Sequence, residues 1–324
     1  MTKIVILGTG GTIAGTATSA SDNIGYTAAQ VGVRELVDAV PGLSASVAQG
    51  VELVVEQIAQ VDSKDMDFSV WQQLVVRCAT LLADEDVTGI VITHGTDTIE
   101  ETAYFLHAML APAKPLVLTC AMRPASSLSP DGPQNLIDAV TVAGMPGARG
   151  VVVVCAGAIH GAVEVRKIHP YRTDAFSSGD GGPLGWVEVL PRLVRPWPDS
   201  VKVSRVPAVQ SLAETSAAAW PRVYIVLSHA GACGELPEAL AGMGARGIVV
   251  AATGNGTVHR SLEASLQRIK TQGVKVLRAS RCPEGRIWPR PDDVLDAVEG
   301  LSPVKARIAL MLELMADEDA IARP

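Results

Sequence analysis

Apolar positions along this chain fall into short runs separated by longer amphipathic stretches. Residues 3–7, 89–93, 115–120 and 150–156 are runs of four to eight apolar residues, the length of buried strands. Residues 52–61 form a further strand candidate whose polar positions imply one wet face. Between them, 66–83, 99–110 and 134–143 show helical spacing. Strands alternating with helices predict βαβ units and a mostly parallel sheet with helices on its faces. Right-handed crossovers then gather the strand C-termini on one edge, where ligands bind in open α/β sheets.

The alternation breaks at 191–211, where Pro191, Pro196, Pro198 and Pro207 fall among charges. This reads as an inter-domain linker. The rhythm then resumes, with strands at 223–227, 247–252 and 274–279 and helices at 235–242, 261–271 and 305–315. The expected organisation is a large N-terminal α/β domain over 1–190, a linker over 191–214 and a smaller α/β domain over 215–324. No repeat of 20–50 residues and no low-complexity tail interrupts it.

Composition narrows the function classes. The chain of 324 residues is 48% hydrophobic and 19% charged, as ordinary globular proteins are. Its net charge of -7, with no Lys/Arg cluster, argues against a nucleic-acid partner. No apolar run approaches the roughly 20 residues of a membrane span. The five cysteines are widely spaced without a C-x-x-C pair, which argues against a disulfide framework or a zinc site. The N-terminus lacks a signal-peptide pattern, which favours the cytoplasm; a periplasmic chain already relieved of its leader reads the same way.

Four constellations carry candidate chemistry. The first strand candidate runs into Gly8-Thr9-Gly10-Gly11-Thr12-Ile13-Ala14-Gly15. Its spacing fails the dinucleotide-binding pattern, and no Lys follows for a phosphate loop. What remains is a tight turn whose glycines allow close backbone approach and which presents the Thr12 hydroxyl. Thr93-His94-Gly95-Thr96-Asp97-Thr98 follows a later strand. Thr98 and Glu101 have capping-box spacing, leaving Thr96 and Asp97 for a ligand. His94 is either a base or a histidine packed at the turn. Arg123, before Pro124, either binds an acid or anchors the chain. Lys167, in Arg166-Lys167-Ile168, is either an ordinary exposed lysine or a partly desolvated one whose pKa falls toward that of a base.

Together these motifs resemble the bacterial L-asparaginase/glutaminase family. The matching stretches are 9–15, 62–66, 93–105, 121–124 with 131–133, 167–176 and 254–256, in order across nearly the whole chain. The resemblance implies hydrolysis of L-asparagine to L-aspartate and ammonia through a threonine acyl-enzyme, with weaker L-glutaminase activity, no cofactor and no metal. It implies a homotetramer of intimate dimers. Thr12 is then the nucleophile and Tyr26 sits on a lid, for which the small polar residues of 15–23 are suited. Thr96, Asp97 and Lys167 form a second relay, with Lys167 a neutral, buried base. Ser63 and Asp97 hold the substrate's α-groups, with Gly11 and Lys64 lining the pocket. The N–H groups of Thr12 and Ala121 face the oxyanion, and Asn255 enters from a neighbouring subunit. Lys64 departs from the uncharged residue expected there, and 286–293 places no carboxylate where the family often has a glutamate. The rival readings are a non-catalytic amino-acid sensor, a tRNA-linked amidotransferase subunit and a nucleotide-binding oxidoreductase.

Overall fold

The computed structural model describes residues 1–43, 47, 50–198 and 205–322. The chain divides into two compact units, Met1–Val201 and Lys202–Pro324. The division falls within the stretch expected as a linker. That stretch is not irregular throughout, however. Pro191–Leu193 pairs antiparallel with Gly185–Val187 as a sheet edge, and Val209–Glu214 is helical. Proline suits such an edge because no ladder hydrogen bond is asked of its missing N–H. Residues 199–204 of that stretch lie outside the described residues.

The first unit is built on an eight-stranded sheet. Its strands are β1 (Thr2–Gly10), β2 (Val51–Val61), β3 (Val87–Thr93), β4 (Pro115–Thr119), β5 (Gly150–Cys155), β6 (Ala158–Gly161), β9 (Gly185–Val187) and β10 (Pro191–Leu193). β7 (Arg166–Lys167) and β8 (Phe176–Ser177) form a separate hairpin. The sheet order is β10-β9-β6-β5-β4-β3-β1-β2. The segment from β2 to β5 is parallel, and β6, β9 and β10 extend it antiparallel. β4 and β5 are buried at every position, as strands covered on both faces are, whereas β2 at the edge is only half-buried.

The helices pack on both faces. α1 (Val33–Asp38) and α4 (Gly132–Ala143) share one core cluster with Ile4, Ile6, Val91 and Val117. α2 (Phe68–Ala83) and α3 (Ile99–Leu110) pack together, with the rings of Trp71 and Phe105 stacked 4.8 Å apart. α2 starts where the Asp67 carboxylate accepts the N–H groups of Ser69 and Val70. It buries Val70, Trp71, Leu74, Val75, Cys78 and Leu81, one face at helical spacing.

The second unit has a four-stranded parallel sheet in the order β11-β12-β13-β14. These strands are Val223–Leu227, Gly247–Ala252, Lys275–Ser280 and Asp296–Ala297. α5 is the short helix Val209–Glu214 already described. α6 (Glu235–Gly242) and α7 (Arg260–Thr271) pack against each other, while α8 (Pro303–Ala322) packs on β11, β12 and β13. Among the described residues, no helix is long and apolar enough to cross a membrane.

Candidate active site

In the parallel segment, β1 lies between β2 and β3, so successive crossovers leave it in opposite directions. Such a switch point opens a crevice at the strand C-termini. The Gly-rich turn leaves β1 there and the His94–Asp97 turn leaves β3. Gly10 and Gly11 have φ of 101° and 83°, a region open to glycine but strained for other residues. A Cβ on Gly11 would run into the backbone of Gly95, and a Cβ on Gly95 into the Ser63 hydroxyl. Missing side chains therefore let the turns after β1 and β3 meet backbone to backbone, with the Ser63 side chain of the turn after β2 packed against Gly95.

Thr12 opens a single 3-10 turn, Thr12–Ala14, and is buried. Its hydroxyl lies 2.7 Å from the Tyr26 hydroxyl. Tyr26 is half-buried, and burial pushes its phenol above the ordinary 10.0. Its segment is held over Thr12 by the Thr16–Thr27 bridge and by N–H bonds from Ala125 to Gly15, Ala17 to Ser126 and Leu128 to Ala20. A Cβ on Gly15 would lie 2.9 Å from the Tyr26 ring, so glycine there leaves room for it.

Across from this pair, Lys167 on β7 donates to Thr96 Oγ1 at 2.8 Å and to Asp97 Oδ1 at 2.7 Å. The Lys167 side chain is 17% exposed and that of Asp97 51%. The mostly buried Lys167 amine thus lies against a half-open carboxylate and the Thr96 hydroxyl, the two groups with which the resemblance associates it. A lysine ammonium only donates, so the Thr96 hydroxyl accepts from it and is left free to donate its own proton elsewhere.

Ser63 is buried and its Oγ accepts the Asp97 N–H at 3.2 Å. The Thr98 hydroxyl donates to the Ser63 carbonyl at 2.8 Å and makes no cap bond. The capping-box reading of Thr98 with Glu101 therefore fails: a main-chain acceptor brought in by another turn takes the hydroxyl. Lys64 turns outward, 60% exposed, against Asp65 and Asp62. It is drawn to its own neighbours rather than to the crevice.

Ala121 is buried in the turn after β4. A Cβ on Gly132 would lie 2.8 Å from Ile13 Cγ1 and 3.4 Å from Ala121 Cβ, which puts Ala121 beside the Thr12 turn. Asp131 accepts the N–H groups of Met122 and Arg123, and Asn135 donates to the Cys120 carbonyl. Asp131, just before α4, and Asn135, within it, shape the turn, a role the sequence pattern does not display. Arg123 donates to the Ser129 carbonyl, which is the anchoring alternative.

His94 is fully buried in a closed network. Trp71 Nε1 donates to Thr102 Oγ1, which bonds His94 Nε2 at 2.9 Å, while His94 Nδ1 reaches the Gly95 carbonyl at 2.8 Å. The carbonyl only accepts, so Nδ1 carries the proton and Nε2 is the acceptor. Burial lowers the pKa to about 4. This is the packed-turn alternative, with no lone pair left for catalysis.

In the second unit, Asn255 tips the turn between Thr253 and Thr257, where its side chain bonds Trp288 main chain. Among the described residues, no group of three His, Cys, Asp or Glu side chains is arranged to hold a metal ion.

The family models match in two blocks: the N-terminal asparaginase model over residues 3–196 and the glutaminase/asparaginase C-terminal model over 222–322. The chain belongs to the asparaginase family. It is 38% identical to the glutaminase-asparaginase of Pseudomonas fluorescens biotype A, over 99% of this chain and 88% of that one. It is 38% identical to L-asparaginase 2 of Bacillus subtilis strain 168, over 98% of this chain and 84% of that protein. Among solved structures, it matches the probable cytoplasmic L-asparaginase of Campylobacter jejuni with a TM-score of 0.88 and 36% identity, over 100% of this chain and 96% of that one. The asparaginase family is one of amidohydrolases.

Proposed function

We propose that this chain hydrolyses the side-chain amide of L-asparagine, and more slowly that of L-glutamine, with Thr12 as the nucleophile. One observation carries the reading. A buried threonine hydroxyl on a glycine turn is hydrogen-bonded to a phenol, at a crevice where a second hydroxyl is bonded to an ammonium–carboxylate pair.

Amide hydrolysis needs an activated nucleophile, a proton for the leaving nitrogen and donors for the oxyanion. Thr12 attacks the amide carbon as its proton passes to Tyr26 oxygen. The phenol, held protonated by burial, gives up its own proton as it takes that one, and the released proton makes good the one that Lys167 supplies to Thr96. Thr96 gives its proton to the departing ammonia and is resupplied from Lys167. Asp97 steadies the ammonium and, with the buried Ser63, receives the substrate's α-groups. The N–H groups of Thr12 and Ala121 serve the oxyanion, each donor being worth a factor of roughly a hundred to a thousand in rate. Water then resolves the acyl-enzyme along the same path.

We infer a homotetramer of intimate dimers in which Asn255 completes the site of a neighbouring copy. The five cysteines, none of them joined in a disulfide, suit a reducing, cytoplasmic setting. The deciding assay is ammonia release from L-asparagine, L-glutamine and D-asparagine by the intact protein and by Thr12→Ala. Release that collapses in the variant supports the reading. An intact protein that binds L-asparagine but releases no ammonia would make it a sensor instead.

A further inference from the structure

The turn that carries Asn255 is held by residues well beyond its own hydrogen bonds. Asn255 uses its amide as a peptide would: Nδ2 donates to the Trp288 carbonyl at 2.9 Å, and Oδ1 accepts the Trp288 N–H at 2.7 Å. That pairing fixes which end of the amide is which. One N–H and one lone pair remain for another group.

Both partners of this pairing lead to Arg278 on β13. Its Nη1 donates to the Gly256 carbonyl at 3.1 Å, directly behind Asn255. Its Nη2 is ion-paired with Asp293, which also accepts the Arg290 N–H at 2.7 Å and so closes a turn that begins two residues after Trp288. Ile287, buried, fills the space under Gly256, where a Cβ would lie 2.9 Å from its Cδ1. Gly256, with φ of 77°, lets the turn sit that close.

Arg278 is only 5% exposed, and its Nε has no partner among the described residues. A buried guanidinium with an unmet N–H is an expensive way to fill a core. Its planar fork, however, reaches two separate segments through two nitrogens held a fixed distance apart, which neither an aliphatic side chain nor the single nitrogen of a lysine reproduces.

We propose that Arg278, braced by Asp293, is a positioning residue that sets the Asn255 amide for substrate recognition. The proposal rests on the reading above, in which Asn255 contacts substrate. Arg278 itself touches no reacting atom. Its effect is on binding, so it belongs in KM rather than in kcat.

The test is steady-state ammonia release from L-asparagine by the full-length assembled protein. The variants are Asn255→Ala, Asp293→Asn, Arg278→Lys and the Asp293→Asn/Asn255→Ala double, each with a thermal melt. Asn255→Ala is expected to raise KM about tenfold or more, the loss of a hydrogen bond to a charged group. Asp293→Asn and Arg278→Lys should raise KM at least about threefold, with kcat within about threefold of the parent. In the double variant, Asp293→Asn should add nothing further, because both changes act through one amide. Effects that multiply in the double variant, or a fall in kcat matching the rise in KM, would mark Arg278 as general scaffolding and overturn the proposal. So would an unchanged KM in Asp293→Asn when Asn255→Ala raises it. An unchanged KM in Asn255→Ala itself would instead remove the role of Asn255 in substrate binding, and the positioning role with it. If Arg278→Lys fails to fold, the milder Asp293→Asn still decides.

Discussion

Replacing Lys167 by Met tests the relay most directly, because it separates chemistry from stability. Met keeps most of the length and removes the ammonium, and with it the 2.8 Å bond to Thr96 and the 2.7 Å pair with Asp97. The Asp97 side chain is 51% exposed, so water screens the pair. An ion pair of that kind contributes at most about 1 kcal/mol, and the Thr96 bond about as much again. The melting temperature should therefore fall by only a few degrees. Activity should fall far more. A positioned proton donor is worth about a hundred- to ten-thousand-fold in rate. At about 1.4 kcal/mol per tenfold, that is about 3 to 5 kcal/mol of the barrier. The assay is kcat for ammonia release from L-asparagine beside a thermal melt of the same preparation. Activity within tenfold of the parent, with the melt unchanged, would refute the relay. A melt lowered by tens of degrees would refute the stability estimate and make Lys167 a structural residue.

Three further outcomes are expected. Burial raises the Tyr26 phenol above 10.0, so kcat/KM should show no loss from Tyr26 ionisation between pH 7 and that value; above it, stability should also fall, since the unfolded chain loses the proton first. His94 stays neutral in the fold down to about 4, against 6.5 when unfolded, so between those values the unfolded chain binds the extra proton and stability falls with pH. The span is worth about 3 kcal/mol, and a melt series with His94→Gln should show a flatter acid limb than the parent. Gly11→Ala adds a Cβ against Gly95 backbone at a positive φ, and should abolish ammonia release and lower the melt; a soluble variant with parental kcat would contradict the close packing of the two turns.

The parallel half of the large sheet was legible because β1, β3, β4 and β5 are buried on both faces and read as apolar runs, while β2 at the edge shows one wet face. The antiparallel extension was not. β6, β9 and β10 are three or four residues long, too short to show a period, and their partners are set by turns. Pro191–Leu193 shows the consequence: proline marks a linker by composition yet serves equally well at a sheet edge. Likewise, the Thr98–Glu101 spacing matches that of a local cap, but the Thr98 hydroxyl goes instead to the Ser63 carbonyl, which the turn after β2 brings in and no local rule foresees.

The candidate site divides along the same line. Thr12, Thr96 and Asp97 sit in glycine turns after strands, and the strand order required by alternating helices brings such turns to one edge. Their mutual approach was implicit in Gly11 and Gly95, because each lacks the atom that would hold the other away. Lys167 reaches the site only through the β7–β8 hairpin, which no periodicity announces. Residues that hold others in place are harder still to see. Asp131, Asn135 and Arg278 act on main-chain groups far from them in sequence, and main-chain groups leave no mark on composition. A motif records the side chains that meet a substrate. The contacts that aim those side chains become visible only when the fold brings their backbones together, and substitutions there would be expected to alter KM or stability before they alter the chemical step.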